Sequence, residues 1–185
     1  MALLNRVLIS NRGEIAIRIA KAASALGIES VGVYAPVDSL SLHTRYTTEK
    51  REIRAEVSGQ GDTVAAYLDA DALIRAAKES GCDCIHPGYG FLSESASFAE
   101  QCASEAITFI GPPASALSLF GDKIRARALA QSLGIPVVPG STDALTSPGE
   151  AVELAHDLGY PIMLKVSSGG GGRGIRTVKS TEEMS

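Results

Sequence analysis

The sequence predicts an α/β fold, in which a doubly wound parallel sheet is followed by a smaller second region. Short apolar runs alternate with segments of helical period along the first half of the chain. Within each run the apolar residues are consecutive, which is typical of strands that helices cover on both faces. Strands that alternate with helices favour a parallel sheet, and such sheets bind ligands beyond the carboxyl ends of their strands.

The first strand is predicted at residues 6–10, and its helix extends from the turn at 11–13 to Gly27, a typical residue after a helix C-terminus. The same patterns predict strands at 30–34, 84–86 and 108–111, a weak strand at 52–57, and helices at 69–80 and 95–104. The turn at 11–13 and the loop at 87–90 both follow strands. We therefore expect them at one rim of the sheet.

Pro112 and Pro113 mark the predicted boundary between an N-terminal domain (1–112) and a second domain (113–185). The second domain is predicted to contain helices at 114–120, 124–133 and 147–158, a linker or edge strand at 134–140, and strands at 161–166 and 175–179. A further helix is predicted to begin at 180–183.

Composition excludes several classes of protein. A net charge of −4 and 5% aromatic residues argue against a nucleic-acid partner. The longest uncharged stretch, 106–121, is too short and too interrupted to cross a membrane, and no signal peptide is visible. Three cysteines cannot form a disulfide framework, and their spacing does not fit a zinc site. We therefore expect a cytoplasmic protein with no membrane partner.

The clearest local motif is the glycine-rich run at 167–174, which comprises Gly169, Gly170, Gly171, Gly172 and Gly174. It matches the dinucleotide fingerprint in spacing, but a predicted strand follows it where that fingerprint requires a helix. It also lacks the lysine that ends a Walker A loop. Successive small residues let backbone N–H groups face a phosphate. The run therefore predicts a flexible hairpin over ATP phosphates with Lys165 reaching their oxygens; the alternative is a Gly/Ser linker.

Lys123 is a second candidate for phosphate binding. It opens a predicted helix, where a positive charge opposes the helix dipole, so either an anion binds nearby or the lysine is merely solvated. His43 and His156 show no partner in the sequence pattern and are interpreted as structural.

A second constellation lies on the loop after the strand at 84–86, where the candidate site residues are His86, Tyr89, Gly90 and Glu94. Its glycines allow the backbone to approach a ligand closely. His86 has an alternative role as a hydrogen-bonded structural residue. Arg12 and Glu14 flank the first strand–helix turn and are either site residues, interface residues or members of a salt bridge.

Five motifs occur in order: 7–19 (VLISNRGEIAIRI), 86–94 (HPGYGFLSE), 109–112 (FIGP), 121–123 (GDK) and 165–174 (KVSSGGGGRG). From about Arg6 to its last residue, the chain resembles the biotin carboxylase component of biotin-dependent carboxylases, ATP-grasp enzymes found alone or fused in acetyl-CoA, propionyl-CoA and pyruvate carboxylases. The resemblance implies a Rossmann-like, pre-ATP-grasp N-terminal domain and an incomplete ATP-grasp α+β portion.

The resemblance also implies an activity. In the family, ATP activates bicarbonate as carboxyphosphate, and its CO2 passes to N1 of biotin on a carrier domain. Lys123 and Lys165 match the lysines that bind ATP phosphates, and Gly169 to Gly174 match the mobile lid loop. Tyr89, Gly90 and Glu94 match a loop that faces the carboxylation site. Arg18 and Lys21 match positions near the interface of dimeric members, so a homodimer, a biotin carboxyl carrier domain and a carboxyltransferase are the implied partners.

The chain departs from the family in length, because complete members continue for several hundred residues. The Mg²⁺-binding glutamates, the bicarbonate and biotin arginine and most of the adenine pocket have no counterpart here. No catalytic or metal-binding residue is therefore expected in this chain, and it is expected to be inactive alone. Minor departures are Ser95 and the stretch 46–54.

Two alternatives remain open. One is another ATP-grasp ligase of the carbamoyl-phosphate synthase type, against which the motif HPGYGFLSE argues. The other is a non-catalytic binding or dimerisation module, which a stop codon directly after Ser185 would favour.

Overall fold

Five parallel strands form the sheet of the first unit in a computed structural model that describes residues 4–55, 64–166 and 174–184. The strands are β1 (Arg6–Ile9), β2 (Glu29–Tyr34), β3 (Glu49–Glu52), β4 (Cys84–His86) and β5 (Thr108–Phe109), in the spatial order β3-β2-β1-β4-β5. The α-helices between them are α1 (Gly13–Ala25), α2 (Ala70–Glu79) and α3 (Ala96–Ser104). The predicted α/β fold with a parallel sheet is confirmed.

Both faces of the sheet are covered. On one face Leu8, Val31 and Ile85 pack in a buried cluster with residues of α2 and α3. On the other face Val7 and Ile9 pack with residues of α1. Neighbouring side chains of one strand point to opposite faces, so a strand buried on both needs consecutive apolar residues, which explains the sequence pattern.

The third strand was predicted three residues too late, because β3 begins at Glu49 rather than at residue 52. Part of the predicted range, residues 56 and 57, lies outside the described residues. β3 is an edge strand of four charged residues, and its Glu49 forms an ion pair with Arg6. An edge strand built on ion pairs lacks the apolar run that marked its neighbours.

The chain divides into two units, Met1–Leu117 and Ser118–Ser185. The later elements are α4 (Ala114–Gly121), which contains the division, α5 (Lys123–Ser132), α6 (Pro148–Leu158), and the antiparallel pair β6 (Ile162–Lys165) and β7 (Ile175–Val178). Thr181–Met184 forms a turn of 3-10 helix where a helix was predicted to begin. The described helices are all too short or too polar to span a lipid bilayer.

The segment 134–140 contains no helix or strand, so the edge-strand alternative is wrong and the linker alternative holds. Arg127 of α5 fastens this segment, because its guanidinium donates to the carbonyl oxygens of Val138 (2.6 Å) and Gly140 (3.4 Å). These bonds satisfy two backbone acceptors that a ladder would otherwise satisfy.

Candidate functional site

Hydrogen bonds from one buried side-chain amide connect the turn after β1 to the loop after β4. Asn11 follows β1, and its Nδ2 donates to the carbonyl oxygens of Pro87 (2.7 Å) and Tyr89 (3.0 Å). Its Oδ1 accepts from the Arg12 N–H at 2.9 Å. Because β1 and β4 are adjacent in the sheet, the two turns lie at one rim, as predicted.

Gly88 is required by this close approach. Its φ is +68°, and a Cβ there would lie 2.5 Å from Ile15 Cγ2 and 2.9 Å from Asn11 Nδ2. Gly90 also has a positive φ of +72°, but a Cβ there would meet no atom within 4 Å. Gly88 therefore allows the loop to pack inward, whereas Gly90 leaves open space beside the backbone.

His86 stabilises the same loop. Its Nδ1 accepts a hydrogen bond from the Gly88 N–H at 3.0 Å, and burial lowers the pKa of His86 below its ordinary value of 6.5. A neutral ring can accept this bond at Nδ1, whereas an imidazolium cannot. The structural role proposed as an alternative for His86 is therefore present in the structure.

The other two side chains singled out on this loop face solvent. Tyr89 is 66% exposed, and Glu94 is also exposed. The loop thus buries the backbone carbonyls next to Gly88 and presents a phenol, an open glycine backbone and a carboxylate outward. These groups could hydrogen-bond a polar ligand with both donors and acceptors.

Sequence reasoning missed a cluster behind the loop, formed by Asp38, Tyr67 and Phe91 together with Arg12. The Tyr67 hydroxyl donates to Asp38 Oδ2 at 2.7 Å, and Arg12 donates to the same oxygen at 3.0 Å. Phe91 stacks on the Tyr67 ring with 5.4 Å between centroids. Asp38 lies just beyond β2 at the predicted rim, and that position was the available signal.

Hydrogen bonds within this cluster favour an ionised Asp38 and a neutral Tyr67. Burial, which would raise the pKa of Asp38, is outweighed by hydrogen bonds from Tyr67 and Arg12, so the pKa of Asp38 is lowered. Burial is the main cause that raises the pKa of the Tyr67 phenol, and the Asp38 carboxylate raises it further. Tyr67 is therefore a neutral donor to an ionised Asp38 across the physiological range.

The remaining candidates of the first unit lie on or beside α1. Arg12 forms an ion pair with Asp38, which is the salt-bridge alternative stated for it. Glu14 is exposed in the first turn of α1, where a carboxylate is favourable to the helix dipole. Arg18 and Lys21 are exposed on the same helix, and Lys21 Nζ lies 5.0 Å from the centroid of the Tyr46 ring.

The candidate phosphate site belongs to the second unit. Lys165 ends β6 and pairs with Ile175 of β7, and the Val166 N–H donates to the Gly174 carbonyl oxygen at 3.1 Å. The glycine run therefore joins two antiparallel strands, as predicted, and not a strand to a helix. Its members Gly169, Gly170, Gly171 and Gly172 lie outside the described residues.

Lys123 is brought to the same end of β6. It is the first residue of α5, and its Nζ donates to the carbonyl oxygen of Val166, the residue after Lys165, at 3.1 Å. Asp122 caps the helix by accepting from the N–H groups of Ile124 (2.9 Å) and Arg125 (3.0 Å). Lys123 and Lys165 are both exposed, so the described residues place two positive charges at this end of β6, which favours an anion nearby.

The described residues do not supply the set of ligands that a metal ion requires. In the ranges 4–55, 64–166 and 174–184 no group of three or more His, Cys, Asp or Glu side chains is arranged to hold a metal ion. The described residues therefore do not fit the Mg²⁺ site that the family implies, and no step of the chemistry below is assigned to a metal here.

Comparison with known proteins places these features in a family. The model for the biotin carboxylase N-terminal domain matches residues 3–117. The chain belongs to the biotin carboxylase family. The model for the ATP-binding domain of the carbamoyl-phosphate synthase L chain matches residues 122–185, the part that contains Lys123 and Lys165. The predicted family is thereby confirmed.

Individual relatives agree with this assignment. The biotin carboxylase of Halalkalibacterium halodurans is 45% identical over 182 residues, which make up 98% of this chain and 39% of that protein. The pyruvate carboxylase of Bacillus subtilis is 49% identical over 183 residues, or 98% of this chain and 15% of that protein. The chain thus spans well under half the length of either relative.

Solved structures of the family have the same fold. The biotin carboxylase domain dimer of Hydrogenobacter thermophilus 2-oxoglutarate carboxylase, determined with MgADP, ADP and bicarbonate, matches with a TM-score of 0.92 and 40% identity over 100% of this chain and 39% of that one. The Campylobacter jejuni biotin carboxylase–β,γ-ATP complex matches with a TM-score of 0.90 and 40% identity over 98% of this chain and 40% of that one.

Proposed function

We propose that this chain is the N-terminal part of a biotin carboxylase, which uses ATP and bicarbonate to carboxylate biotin on a carrier protein. The observation that carries the proposal is the placement of Lys123 at the end of β6, next to Lys165, in a chain 45% identical to a biotin carboxylase. The carrier domain and a carboxyltransferase are the expected partners, with biotin as the carrier-bound substrate.

The lysines serve the first half-reaction. A bicarbonate oxygen attacks the γ-phosphorus of ATP, the bond to the β-phosphate oxygen breaks, and carboxyphosphate and ADP form. Charge on the phosphoryl oxygens must be neutralised during this transfer, and ammonium groups at Lys123 and Lys165 supply that neutralisation. Metal-binding carboxylates and the base for bicarbonate come from outside this chain.

The loop at 86–94 serves the second half-reaction. Carboxyphosphate breaks down to CO2 and phosphate, biotin N1 loses its proton to that phosphate, and the N1 anion attacks CO2. The exposed Tyr89, Gly90 and Glu94 offer hydrogen bonds that fit the polar ureido ring of biotin. His86 contributes by keeping the loop in shape, since its Nδ1 accepts from Gly88.

We also assign a homodimer, with Arg18 and Lys21 near the interface. The Hydrogenobacter thermophilus relative is a dimer, and both side chains are exposed on α1. A cytoplasmic location fits Cys82, Cys84 and Cys102, which are all unpaired and buried, because thiols stay reduced there.

The test measures biotin carboxylation by the full-length protein. With ATP, bicarbonate and free biotin, we expect biotin-dependent ADP release and carboxybiotin. Lys165→Ala should lower kcat/KM for ATP by about 100-fold, the cost of one charged group at a phosphoryl-transfer site. Lys179→Ala is the matched control, because Lys179 is also an exposed lysine, just after β7, and this variant should stay within twofold of wild type.

Other outcomes decide between the alternatives. Carbamoyl phosphate formation from ammonia without biotin carboxylation would establish the carbamoyl-phosphate synthase type of ligase. The 185-residue chain alone is expected to show no bicarbonate-dependent ATP cleavage above its Lys165→Ala variant. Cleavage above that background would contradict the assignment of the catalytic residues to the rest of the protein.

A further inference from the structure

Behind the loop at 86–94 lies a buried tyrosine that belongs to none of the five motifs. We propose that Tyr67 is a positioning residue for this loop: its ring holds Phe91, and Asp38 and Arg12 fix the ring. This inference rests on the proposed function in assigning the loop to biotin. The anchoring itself rests only on the contacts of Tyr67 with Asp38, Ala35 and Phe91.

The Tyr67 hydroxyl is both a hydrogen-bond donor and a hydrogen-bond acceptor. The ring is fully buried, its O–H donates to Asp38 Oδ2 at 2.7 Å, and the Tyr67 hydroxyl oxygen accepts from the Ala35 N–H at 3.1 Å. The Arg12 guanidinium carbon lies 5.5 Å from the ring centroid. A phenol with a donor, an acceptor and a cation around it has one favourable orientation.

That orientation is transmitted to the loop through Phe91. The two rings are nearly parallel, at 14°, with 5.4 Å between centroids. Phe91 has a φ of +47°, a left-handed conformation that is unfavourable for a bulky residue. A residue stays in this conformation only where its surroundings hold it, and the stacked Tyr67 ring does so here.

The loop is thus anchored at two points. Asn11 binds the carbonyl oxygens of Pro87 and Tyr89, and Tyr67 binds the ring of Phe91. Tyr89 and Gly90, which face outward, lie directly before the second anchor. Releasing that anchor lets the outward groups move, so the ligand of the loop loses affinity while a ligand held by the second unit does not.

The experiment uses the full-length protein with Tyr67→Phe, which removes the hydroxyl contacts, and Phe91→Leu, which removes the ring stack. We expect each to raise KM for biotin about fivefold to tenfold. KM for ATP should stay within twofold of wild type. Tyr34→Phe, the same change at the end of β2, is the matched control and should leave both constants unchanged.

Hydrogen exchange of the substrate-free protein tests the anchoring separately. Peptides covering 87–94 should exchange about tenfold faster in both variants, whereas peptides of β1 should keep their wild-type rate. Wild-type exchange at 87–94 in both variants would overturn the anchoring. A parallel rise of KM for biotin and ATP would overturn the positioning role, since it indicates general destabilisation. If wild type fails to carboxylate biotin, the proposed function fails, and the exchange result still decides the anchoring.

Discussion

Two glycines of this chain meet the same geometric problem in different surroundings. Gly88 in the first unit and Gly174 in the second both have φ near +70°, and in both a Cβ would lie under 3 Å from a neighbouring side chain. The neighbours of Gly88 are Ile15 and the fully buried Asn11. The neighbour of Gly174 is Val166, which is 49% exposed.

The difference extends beyond these contacts. Nearly all of the buried hydrophobic residues in the described ranges belong to the first unit, and the second contributes only Ala155 and Val178. Packing therefore determines the shape of the candidate biotin loop, whereas the candidate phosphate site depends on a strand pair and a few side-chain hydrogen bonds. A close-packed side chain cannot move aside for an added atom, whereas an exposed side chain can.

The largest expected effect is that of Gly88→Ala. The added Cβ collides with Ile15 and Asn11, and alanine is strained at a φ of +68°, so we expect a loss of about 3 kcal/mol in the free energy of unfolding. Urea unfolding followed by tyrosine fluorescence measures it, since four of the five tyrosines lie in the first unit.

Gly90→Ala is the matched control for this variant. It has the same left-handed backbone without a collision, so it should cost only the strain, about 1 kcal/mol. Equal losses for the two variants would show that the neighbours of Gly88 move aside and that the loop is not tightly packed.

Sequence patterns predicted the elements that depend on nearby residues. The helices α2, α3 and α6 begin where Asp69, Ser95 and Ser147 cap them, since each cap bonds a residue three positions ahead. β3 was misplaced because an edge strand of charged residues lacks an apolar signal.

The candidate site divides in the same way. Its outward residues were predicted, because they lie on short motifs. Its anchors were not, because their contacts join distant positions: Asn11 binds Pro87, 76 residues away, and Tyr67 binds Asp38, 29 residues away. The sequence does not show which group a buried amide or phenol will bind once the chain has folded.

Gly174→Ala should have a smaller effect than Gly88→Ala. Because Val166 is exposed, its side chain can turn away from the added Cβ, which leaves the left-handed strain of about 1 kcal/mol. Hydrogen exchange of the β6 and β7 amides measures the loss. Gly134→Ala, at a φ of +70° with no atom within 4 Å, should cost the same. A loss near that of Gly88→Ala would contradict the contrast between the two units.

The smallest expected effect concerns the pH dependence of the first unit. Burial lowers the pKa of His86 below 6.5, so the folded state binds this proton more weakly than the unfolded state. The stability that neutral His86 contributes is therefore present above pH 6.5 and is lost as pH falls through the lowered pKa. His86→Asn should give a shallower loss of stability between about pH 7 and 5, because an amide oxygen can accept from Gly88 without titrating.

The control for this variant is His156→Asn, the same substitution at an exposed position of α6 in the second unit. Tyrosine fluorescence during urea unfolding at each pH reports the slope for the first unit. A wild-type slope in His86→Asn would mean that Gly88 keeps its hydrogen bond when the imidazole is protonated. A protonated imidazole has no acceptor at Nδ1, so that result would require another partner for the Gly88 N–H and would contradict the role of His86 in stabilising the loop.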